Sequence, residues 1–446
     1  MPATTTICGR VPYGTTPVFM AGAEFKVGSS DVDAVAREGF PLAAGGFTIR
    51  SDDFHTNLDA TYPPSGYSFG HSSGNVRSSN RSDVFLDWAN EIIMFCAQKP
   101  GGVDGTISSD VVYFYSSNVG SYPQSGVGFG ADGSVQNYPR TQGGVSRANA
   151  LSPTSWNWVA IHFRCHASLG FLRVYVDSQT NKVTDDGLGN TSRAALDGNP
   201  IRQIDQFSFA QSNEHNYDDI VICCRTLFFT GGPGTAPTDG ATITDTTTGT
   251  GTCVVSRTTL DPTDPTKGIL WVEYVQGTGF AATDVISDGA AFTATAANAL
   301  TENGWWEDPM FLRIIFPTSD VSTDLTSSNT GPGTFADVNK STGATPYSFG
   351  TADTNRQVMG GGTITTGFST VRFVGMSAQA VQDTGALPNA QLGIDIAGSA
   401  EDSPKLVVNK SPTVIQTSFG ALSPDTGVRF TEAEVNSAKY RYTIRS

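Results

Sequence analysis

The sequence predicts an all-β protein, and three observations support this fold class. Glycine and proline are abundant, at 49 and 23 of 446 residues, which indicates many turns. Charged residues make up only 15% of the chain, well under the roughly one quarter of an average protein. The hydrophobic residues fall in short runs that alternate partly with polar ones, as in strands. A chain of this length has room for two or three domains.

Four apolar blocks within residues 156–224 are the clearest predicted strands. They read WNWVAIHFRCH, GFLRVYVD, IDQFSFA and YDDIVICC, and polar loops separate them. The alternation of the second block puts three aliphatic residues on one face: Leu172, Val174 and Val176. In the last block, Ile220 and Ile222 share a face with Asp218. These strands predict an antiparallel sheet, and a second sheet should cover its apolar face.

The order of these blocks resembles the second half of a concanavalin-like (laminin-G-like) jelly roll. The shared features are a Trp-led strand, a strand ending near VYVD, an Ile-Asp strand and a closing Tyr-Asp-Asp-Ile strand. The resemblance covers roughly residues 15–227 and implies a fold, not a function. It implies a jelly roll at residues 21–230, preceded by a polar arm at residues 1–20 that we expect to pack on a neighbouring subunit.

The first half of this jelly roll is expected to consist of strands and hairpins. The predicted strands are GGFTIRS, VFLDWANEIIMFCAQ, DVVYFYSS and VGFGADGSVQ, and the Asp-Gly pair of the last one favours a hairpin turn. Residues 31–39, DVDAVAREG, are expected to form a short helix. Residues 62–83 are expected to be a loop, because they are rich in Ser, Gly and Pro.

A shift in composition at residues 231–302 predicts a linker and a small inserted β-domain. The linker reads GGPGTAPTDGATITDTTTGTGT. The block GTGFAATDVISDGAAFTAT resembles a small β-barrel unit of viral tail and fibre proteins, which we place at about residues 240–302. Residues 303–446 are expected to form a C-terminal β-sandwich.

The C-terminal motif PDTGVRFTEAEVNSAKYRYTI, at residues 424–444, resembles the end of phage and prophage virion proteins with a laminin-G-like front end. Two features depart from that pattern: Phe430 replaces a Trp, and SAKYRY follows Asn436 where the pattern has a small residue and Gly. Locally, PDTG predicts a turn, and Thr431 predicts a helix N-cap with Glu434 at the capping-box position. One helical turn should then lead into a final strand, KYRYTI.

Charge, the length of apolar runs, the N-terminal pattern and cysteine spacing argue against several kinds of protein. The net charge of −15 argues against binding of nucleic-acid phosphates as the main task. Apolar runs such as FLRIIF are far shorter than the roughly 18 residues of a membrane span, so membrane insertion is not expected. The N-terminal residues lack the pattern of a secretory signal, so we expect synthesis in a bacterial cytoplasm. Six cysteines without zinc-type spacing are expected to be free buried thiols: Cys8, Cys96, Cys165, Cys223, Cys224 and Cys253.

No catalytic constellation is visible in the sequence, and we expect no enzymatic activity. Glycan-cleaving enzymes of the concanavalin-like fold use Glu-x-Asp-x-x-Glu, and none of the glutamates of the first 230 residues begins that spacing: Glu24, Glu38, Glu91 and Glu214. The motif GYSFG at residues 66–70 lacks the strand and helix that flank a nucleophilic serine. On a strand, His162 and His166 would lie about 13 Å apart, too far to share a metal.

Two kinds of ligand site stay open as alternatives to plain structural roles. Calcium could be held by the loop residues Asp185, Asp186, Asn190 and Asp197, with Asp52 and Asp53 in another loop, or these loops are simply solvated and acidic. Sugars could stack on loop aromatics, or these aromatics pack inside the sandwich: Tyr62, Tyr67, Tyr113, Tyr115 and Tyr122. The sequence does not localise a glycan site, and no cofactor other than calcium is suggested.

The resemblances together imply a structural protein of a tailed-bacteriophage virion, most simply a tail or fibre protein. Such a protein assembles as a homo-oligomer, with a trimer favoured for a fibre, and contacts other virion proteins and host-surface glycans. Polar segments at residues 1–20 and 317–345 are expected to pack across subunit boundaries. The alternatives are a head-decoration or head-fibre protein on the capsid, and a lectin-like or polysaccharide-degrading protein.

Overall fold

A computed structural model gives the structure of a large part of the chain. The described residues are 3–8, 14–22, 47–50, 68–71, 75–77, 89–100, 109–115, 123–139, 146–164, 169–186, 206–210, 215–261, 264–306, 312–315, 317–327, 348–349, 354–361, 371, 373–380, 389–403, 406–408, 413–419, 423–426 and 430–445. Within these ranges no helix has the length and apolar character of a membrane span.

The strands fall into three groups along the chain. The first group comprises β1 (Ala3–Cys8), β2 (Thr15–Ala21), β3 (Phe47–Arg50), β4 (Ser68–His71), β5 (Asn75–Arg77), β6 (Glu91–Lys99), β7 (Ser109–Tyr115), β8 (Pro123–Gly130), β9 (Val135–Pro139), β10 (Ser146–Arg147), β11 (Asn157–Arg164), β12 (Phe171–Val176), β13 (Lys182–Asp186), β14 (Gln206–Ala210) and β15 (His215–Thr230). The second group comprises β16 (Thr242–Asp245), β17 (Thr252–Leu260), β18 (Gly268–Gln276), β19 (Val285–Ser287) and β20 (Thr293–Ala296). The third group comprises β21 (Leu312–Ile315), β22 (Pro317–Thr323), β23 (Thr326–Ser327), β24 (Ser348–Phe349), β25 (Arg356–Gly361), β26 (Phe373–Ala380), β27 (Asn389–Ile396), β28 (Ser399–Asp402), β29 (Leu406–Val407), β30 (Thr413–Ser418), the helix α1 (Glu432–Ser437) and β31 (Lys439–Arg445).

Two antiparallel sheets face each other in the first half of the chain. One sheet has the order β13-β12-β11-β6-β15, with β2 and β4 also paired to β15. The other has the order β10-β9-β8-β7-β14-β5. Side chains from both sheets fill the space between them, among them Met94, Phe114, Phe129, Ile161 and Ile222. This arrangement confirms the predicted all-β fold with a jelly-roll sandwich.

The sheet that contains β11 and β12 is buried on both of its faces. Leu172, Val174 and Val176 pack into the inner core, as the alternation predicts, while Tyr175 packs in a second apolar cluster on the outer face. The adjacent thiols Cys223 and Cys224 likewise lie in opposite clusters. Cover on both faces explains why these strands read as nearly continuous apolar runs rather than as strict alternation. The cysteines that the structure describes with their side chains are free and buried: Cys96, Cys223, Cys224 and Cys253.

Asp218 does not share a face with Ile220 and Ile222, which corrects the prediction for this strand. The pairing of β15 with β6 shifts register between Asp218 and Val221, and Asp219 has a left-handed φ of 45°. Asp218 therefore lies opposite Ala97, on the outer face, while the two isoleucines enter the inner core. A β-bulge of this kind adds a residue to one strand and changes the phase of the alternation.

Five strands of the second group close into a small barrel together with the end of β15. The order is β15-β18-β17-β16-β19-β20, and β20 pairs back onto β15. Leu227 and Phe229 of β15 enter the barrel core with residues such as Val255, Leu270 and Phe292. The structure thus contains the predicted small barrel, but the sandwich supplies one of its strands. Residues 242–245 form β16, so the segment predicted as a linker is partly strand.

The C-terminal residues form two further antiparallel sheets around one apolar core. One sheet has the order β22-β25-β31-β27-β28, with β29 paired to β27, and the other has the order β21-β1-β26-β30. Residues 3–8 and 15–20 were expected in a polar arm, but they form β1 in this C-terminal sheet and most of β2 beside β15. Residues 317–323 likewise pair with β25 of the same chain. Strand pairing depends on hydrogen bonds between backbone groups, so segments with polar side chains can also form strands.

Several local predictions have clear outcomes. The Asp-Gly turn joins β8 to β9, with Gly133 at a φ of 79°. Thr431 caps α1 with a full capping box: its hydroxyl accepts from Glu434 N at 3.2 Å, and its own N–H donates to Glu434 Oε2 at 2.7 Å. Residues 62–83 were predicted as a loop, yet they contain β4 and β5. The predicted helix at residues 31–39 lies outside the described residues.

Candidate functional site

The outer face of the sandwich sheet carries a buried polar cluster, which we define as Glu91, His162 and Arg164. Strands β6 and β11 position the cluster, because Glu91 lies directly opposite Arg164 in their antiparallel register. His162 precedes Arg164 by two residues and therefore projects from the same face. All three side chains are buried. Buried charges are stable only when they are paired and hydrogen-bonded, so the partners of each group decide what the cluster can do.

Both carboxylate oxygens of Glu91 accept hydrogen bonds. Oε1 accepts from His162 Nε2 at 2.7 Å and from Arg164 Nη2 at 3.0 Å. Oε2 accepts from Arg164 Nε at 3.0 Å and from the backbone N–H of Tyr274 at 2.9 Å. The guanidinium thus binds the carboxylate through two parallel hydrogen bonds, the strong bidentate geometry. Since Tyr274 belongs to β18, the polar cluster also joins the sandwich to the barrel.

The protonation states of the polar cluster follow from burial and charge. Burial raises the pKa of Glu91, but the positive charge of Arg164 and the hydrogen bond from His162 outweigh it and hold the pKa well below its usual value. Burial lowers the pKa of His162 to about 4, although Glu91 acts in the opposite direction. At neutral pH the cluster is therefore an ionised Glu91–Arg164 pair, with a neutral His162 that donates from Nε2.

A second buried carboxylate, Glu273, lies next to the polar cluster on β18. Its Oε1 accepts a hydrogen bond from Asn90 Nδ2 at 3.0 Å and another from the Ser256 hydroxyl. Burial, together with the negative charge of Glu91, raises the pKa of Glu273 to about 7. Two carboxylates whose pKa values are pushed apart resemble an acid–base pair. However, Glu91 and Glu273 are both buried, so neither carboxylate is exposed on the surface of the chain.

Residues 301–306, which we call the cover segment, lie over the aromatic part of this outer face. The ring of Trp305 is buried, with its centroid 5.0 Å from that of His162 and 4.9 Å from that of Tyr175. Phe95 lies 6.2 Å from the Trp305 ring and 6.1 Å from the Trp306 ring. Edge-to-face and tilted contacts at these distances are favourable. The face that could present aromatic rings to a sugar is thus occupied by tryptophans of the same chain.

Two side chains of the sandwich anchor the backbone of the cover segment. Arg225, which is buried at the end of the sandwich part of β15, donates from Nη1 to Glu302 O at 3.3 Å and from Nη2 to Thr301 O. Gln179 donates from Nε2 to Asn303 O. Because Arg225 is charged and buried, these carbonyl groups help to satisfy it. The cover segment is therefore tied to the sandwich by hydrogen bonds as well as by its tryptophans.

The calcium candidates are only partly described. Asp185 lies on β13, where Oδ1 accepts from Arg173 Nε at 3.0 Å and Oδ2 accepts from Lys182 Nζ. Both oxygens of Asp185 therefore contact cations of the protein itself. Asp186 ends the same strand, and Asn190 and Asp197 lie outside the described residues. Among the described residues no group of three or more His, Cys, Asp and Glu side chains could hold a metal ion. Calcium binding by this loop stays a prediction.

The remaining sequence candidates that the structure describes lie in two different sheets. Tyr113 and Tyr115 lie on β7, and Ser68 of the GYSFG motif begins β4 rather than a strand-to-helix turn. Several other candidates lie outside the described residues: Asp52, Asp53, Tyr62, Tyr67, Tyr122, His166 and Glu214. His162 belongs to the polar cluster through its hydrogen bond with Glu91.

Sequence reasoning missed the polar cluster itself. The available signal was the presence of His162 and Arg164 two residues apart in an otherwise apolar strand, with Glu91 at the start of another. That pattern indicates polar groups on one buried face, but it does not say which carboxylate meets which cation. Glu91 and Arg164 are separated by 73 positions, and only the register of β6 and β11 brings them together.

Comparison with known proteins adds little to this geometry. No family model matches the sequence, and no curated protein matches it. Among solved structures, the galectin LEC-6 of Caenorhabditis elegans is similar over 34% of this chain and 91% of its own, with 10% sequence identity and a TM-score of 0.23. A likeness at that TM-score carries no argument about function.

Proposed function

We propose that this chain is a structural component of a tailed-phage virion, a tail or fibre protein that assembles as a homo-oligomer. The phage assignment rests on the resemblance of the motif at residues 424–444 and of the barrel block to virion proteins. Its place is the virion, after synthesis in the bacterial cytoplasm, and its partners are copies of itself and other virion proteins. It works without enzymatic activity and without a cofactor.

The observation that carries a structural role is the continuity of β15. This strand of 16 residues pairs with β6 and β2 in the sandwich and then with β18 and β20 in the barrel. A strand hydrogen-bonded in both units cannot bend freely at the junction, so sandwich and barrel form a stiff body. The polar cluster reinforces the junction, because Tyr274 of the barrel donates to Glu91 of the sandwich.

Electron microscopy of virions labelled with an antibody against this chain tests the proposal. Label on the tail or on fibres supports it, and label on the capsid surface favours the head-decoration alternative. Absence of label from purified particles, with the chain present only in the cell lysate, would contradict a virion role altogether. Light scattering of the purified chain measures the number of copies in the oligomer, for which three is expected in a fibre.

Glycan contact remains a separate part of the proposal. The aromatic rings of the outer face are covered by Trp305, so any sugar contact has to use other surfaces of the oligomer. A glycan array with the purified chain tests this contact, and binding no stronger than that of a denatured sample would remove both the host-glycan contact and the lectin-like alternative.

A further inference from the structure

The first strand of the chain completes a sheet that otherwise consists of C-terminal residues. Strand β1 lies between β21 and β26, antiparallel to both. Residues Ala3 to Cys8 pair in register with Ala378 to Phe373, and Thr5 to Cys8 pair with Ile315 to Leu312. Within the described part of the chain, β21 has no strand partner other than β1. If β1 were removed, β21 would therefore lose its pairing and the slot beside β26 would stand open.

A slot of this kind can be filled by a strand from another molecule. Strand addition depends mainly on backbone hydrogen bonds, which are the same whichever copy of the chain supplies the strand. In this fold the strand that fills the slot is β1. Its neighbours in the sheet begin only at residue 312, so no local turn ties β1 to them.

The connection between β1 and β2 also favours exchange. The six residues GRVPYG separate Cys8 from Thr15 and span at most about 20 Å when extended. Short connecting segments favour exchange of the element they carry, because the strain of folding back within one chain is released when the element enters a neighbour. With so short a connection, a donor and its acceptor have to be direct neighbours.

We propose that β1 is a donor strand that copies of this chain exchange, each copy placing residues 3–8 between β21 and β26 of a neighbour. This inference deepens the proposed homo-oligomeric assembly and rests on it. Each subunit then gives one strand and receives one, so a closed ring of copies leaves no slot open. The partner is a second copy of this chain, and the interaction surface is the pair of strand edges on β21 and β26.

Engineered disulfides between two chains test the exchange. Thr4 and Ser377 face each other in the register of β1 and β26. Facing residues of an antiparallel pair lie about 4.5–5.5 Å apart at Cα, within the range that a disulfide spans. A tagged chain with Thr4→Cys is co-expressed with an untagged Ser377→Cys chain, and the purified protein is oxidised and run on a denaturing gel without reductant.

Exchange predicts a covalent heterodimer of the two chains that reductant separates. The matched control pairs Thr4→Cys with Thr413→Cys on β30, one strand further away, and should give no heterodimer. If the two single-cysteine chains stay separate while one chain carrying both cysteines closes its own disulfide, β1 stays in its own subunit and the proposal is wrong. If neither arrangement forms the disulfide, β1 does not occupy the slot and the proposal is equally wrong.

Light scattering separates this proposal from the proposed function. An oligomer that shows no heterodimer cross-link overturns strand exchange and leaves the homo-oligomeric virion protein standing. A strictly monomeric chain overturns both the exchange and the oligomer. Deletion of residues 1–8 adds a third measurement: exchange predicts that the deleted chain loses its oligomeric state, and that a synthetic peptide of residues 1–10 fills the slot without restoring the oligomer. Unchanged assembly of the deleted chain would contradict the proposal.

Discussion

Replacement of Glu273 by glutamine should remove a pH-dependent part of the stability of this protein. Glu273 is buried between the barrel and the polar cluster, and burial raises its pKa from 4.5 to about 7. Glutamine keeps an oxygen that can accept the hydrogen bonds from Asn90 and from Ser256. It cannot ionise, however, so the variant Glu273→Gln isolates the contribution of the buried charge.

The sign of the effect follows from the direction of the shift. The folded state holds the proton of Glu273 more tightly than the unfolded state does, so the contribution to stability is complete below pH 4.5. It is lost as the pH rises towards 7, where the carboxyl ionises in the folded protein. Each unit of pKa difference corresponds to about 1.4 kcal/mol, so the loss over this interval amounts to about 3 kcal/mol.

Urea unfolding at a series of pH values, followed by tryptophan fluorescence, measures this loss. Between about pH 4 and about pH 7 the free energy of unfolding of the wild type should fall by about 3 kcal/mol more than that of Glu273→Gln. The exposed glutamate Glu302 supplies the matched control, and Glu302→Gln should follow the wild type. Parallel curves for the wild type and Glu273→Gln would refute the reasoning, since they would mean that Glu273 is equally acidic in the folded and unfolded states.

Three further substitutions test other features of the fold. Trp305→Ala should lower the free energy of unfolding by about 3–5 kcal/mol, because it empties the aromatic pocket under the cover segment. Urea unfolding measures this loss, and an effect below about 1 kcal/mol would show that the cover segment is not held by Trp305. Thr431→Ala should cost about 1 kcal/mol through loss of the helix cap, while Thr431→Ser should restore most of it in the same assay. Gly277→Ala should lower the thermal midpoint more than Gly289→Ala: both glycines have positive φ, but only at Gly277 would a Cβ lie 1.8 Å from a backbone oxygen. Equal midpoints for these two variants would exclude the close contact.

Local patterns predicted much of the fold. Alternation within residues 171–176 placed Leu172 and Val174 in the core, because successive side chains of a strand point to opposite faces. The spacing of Thr431 and Glu434 predicted the capping box, because its two hydrogen bonds join residues three positions apart. Where a bulge interrupts the strand at Asp218, the same alternation failed, since the extra residue depends on the partner strand and not on local sequence.

The polar cluster could not be predicted from local sequence patterns. Glu91 meets Arg164 through strand register, and Tyr274 adds its N–H only because the barrel packs on the sandwich. Residues 303–306 of the cover segment were assigned to the C-terminal sandwich, since nothing in their sequence says which surface Trp305 will cover. Charge pairing over such separations requires the whole chain to be folded first.

The sequence by itself determined the fold class, the strands within residues 156–224, the small barrel and the capped helix. It wrongly placed the four strands of residues 156–224 in one sheet, because β14 pairs with β7 in the opposite sheet. Periodicity, turn residues and caps act over a few residues, so they can be read directly. Only the tertiary structure decided that β15 belongs to both sandwich and barrel, that β1 completes a sheet begun at residue 312, and that the buried ions are paired on one face. These features depend on which strand edges meet and in which register, and backbone hydrogen bonds between distant segments carry no sequence signature.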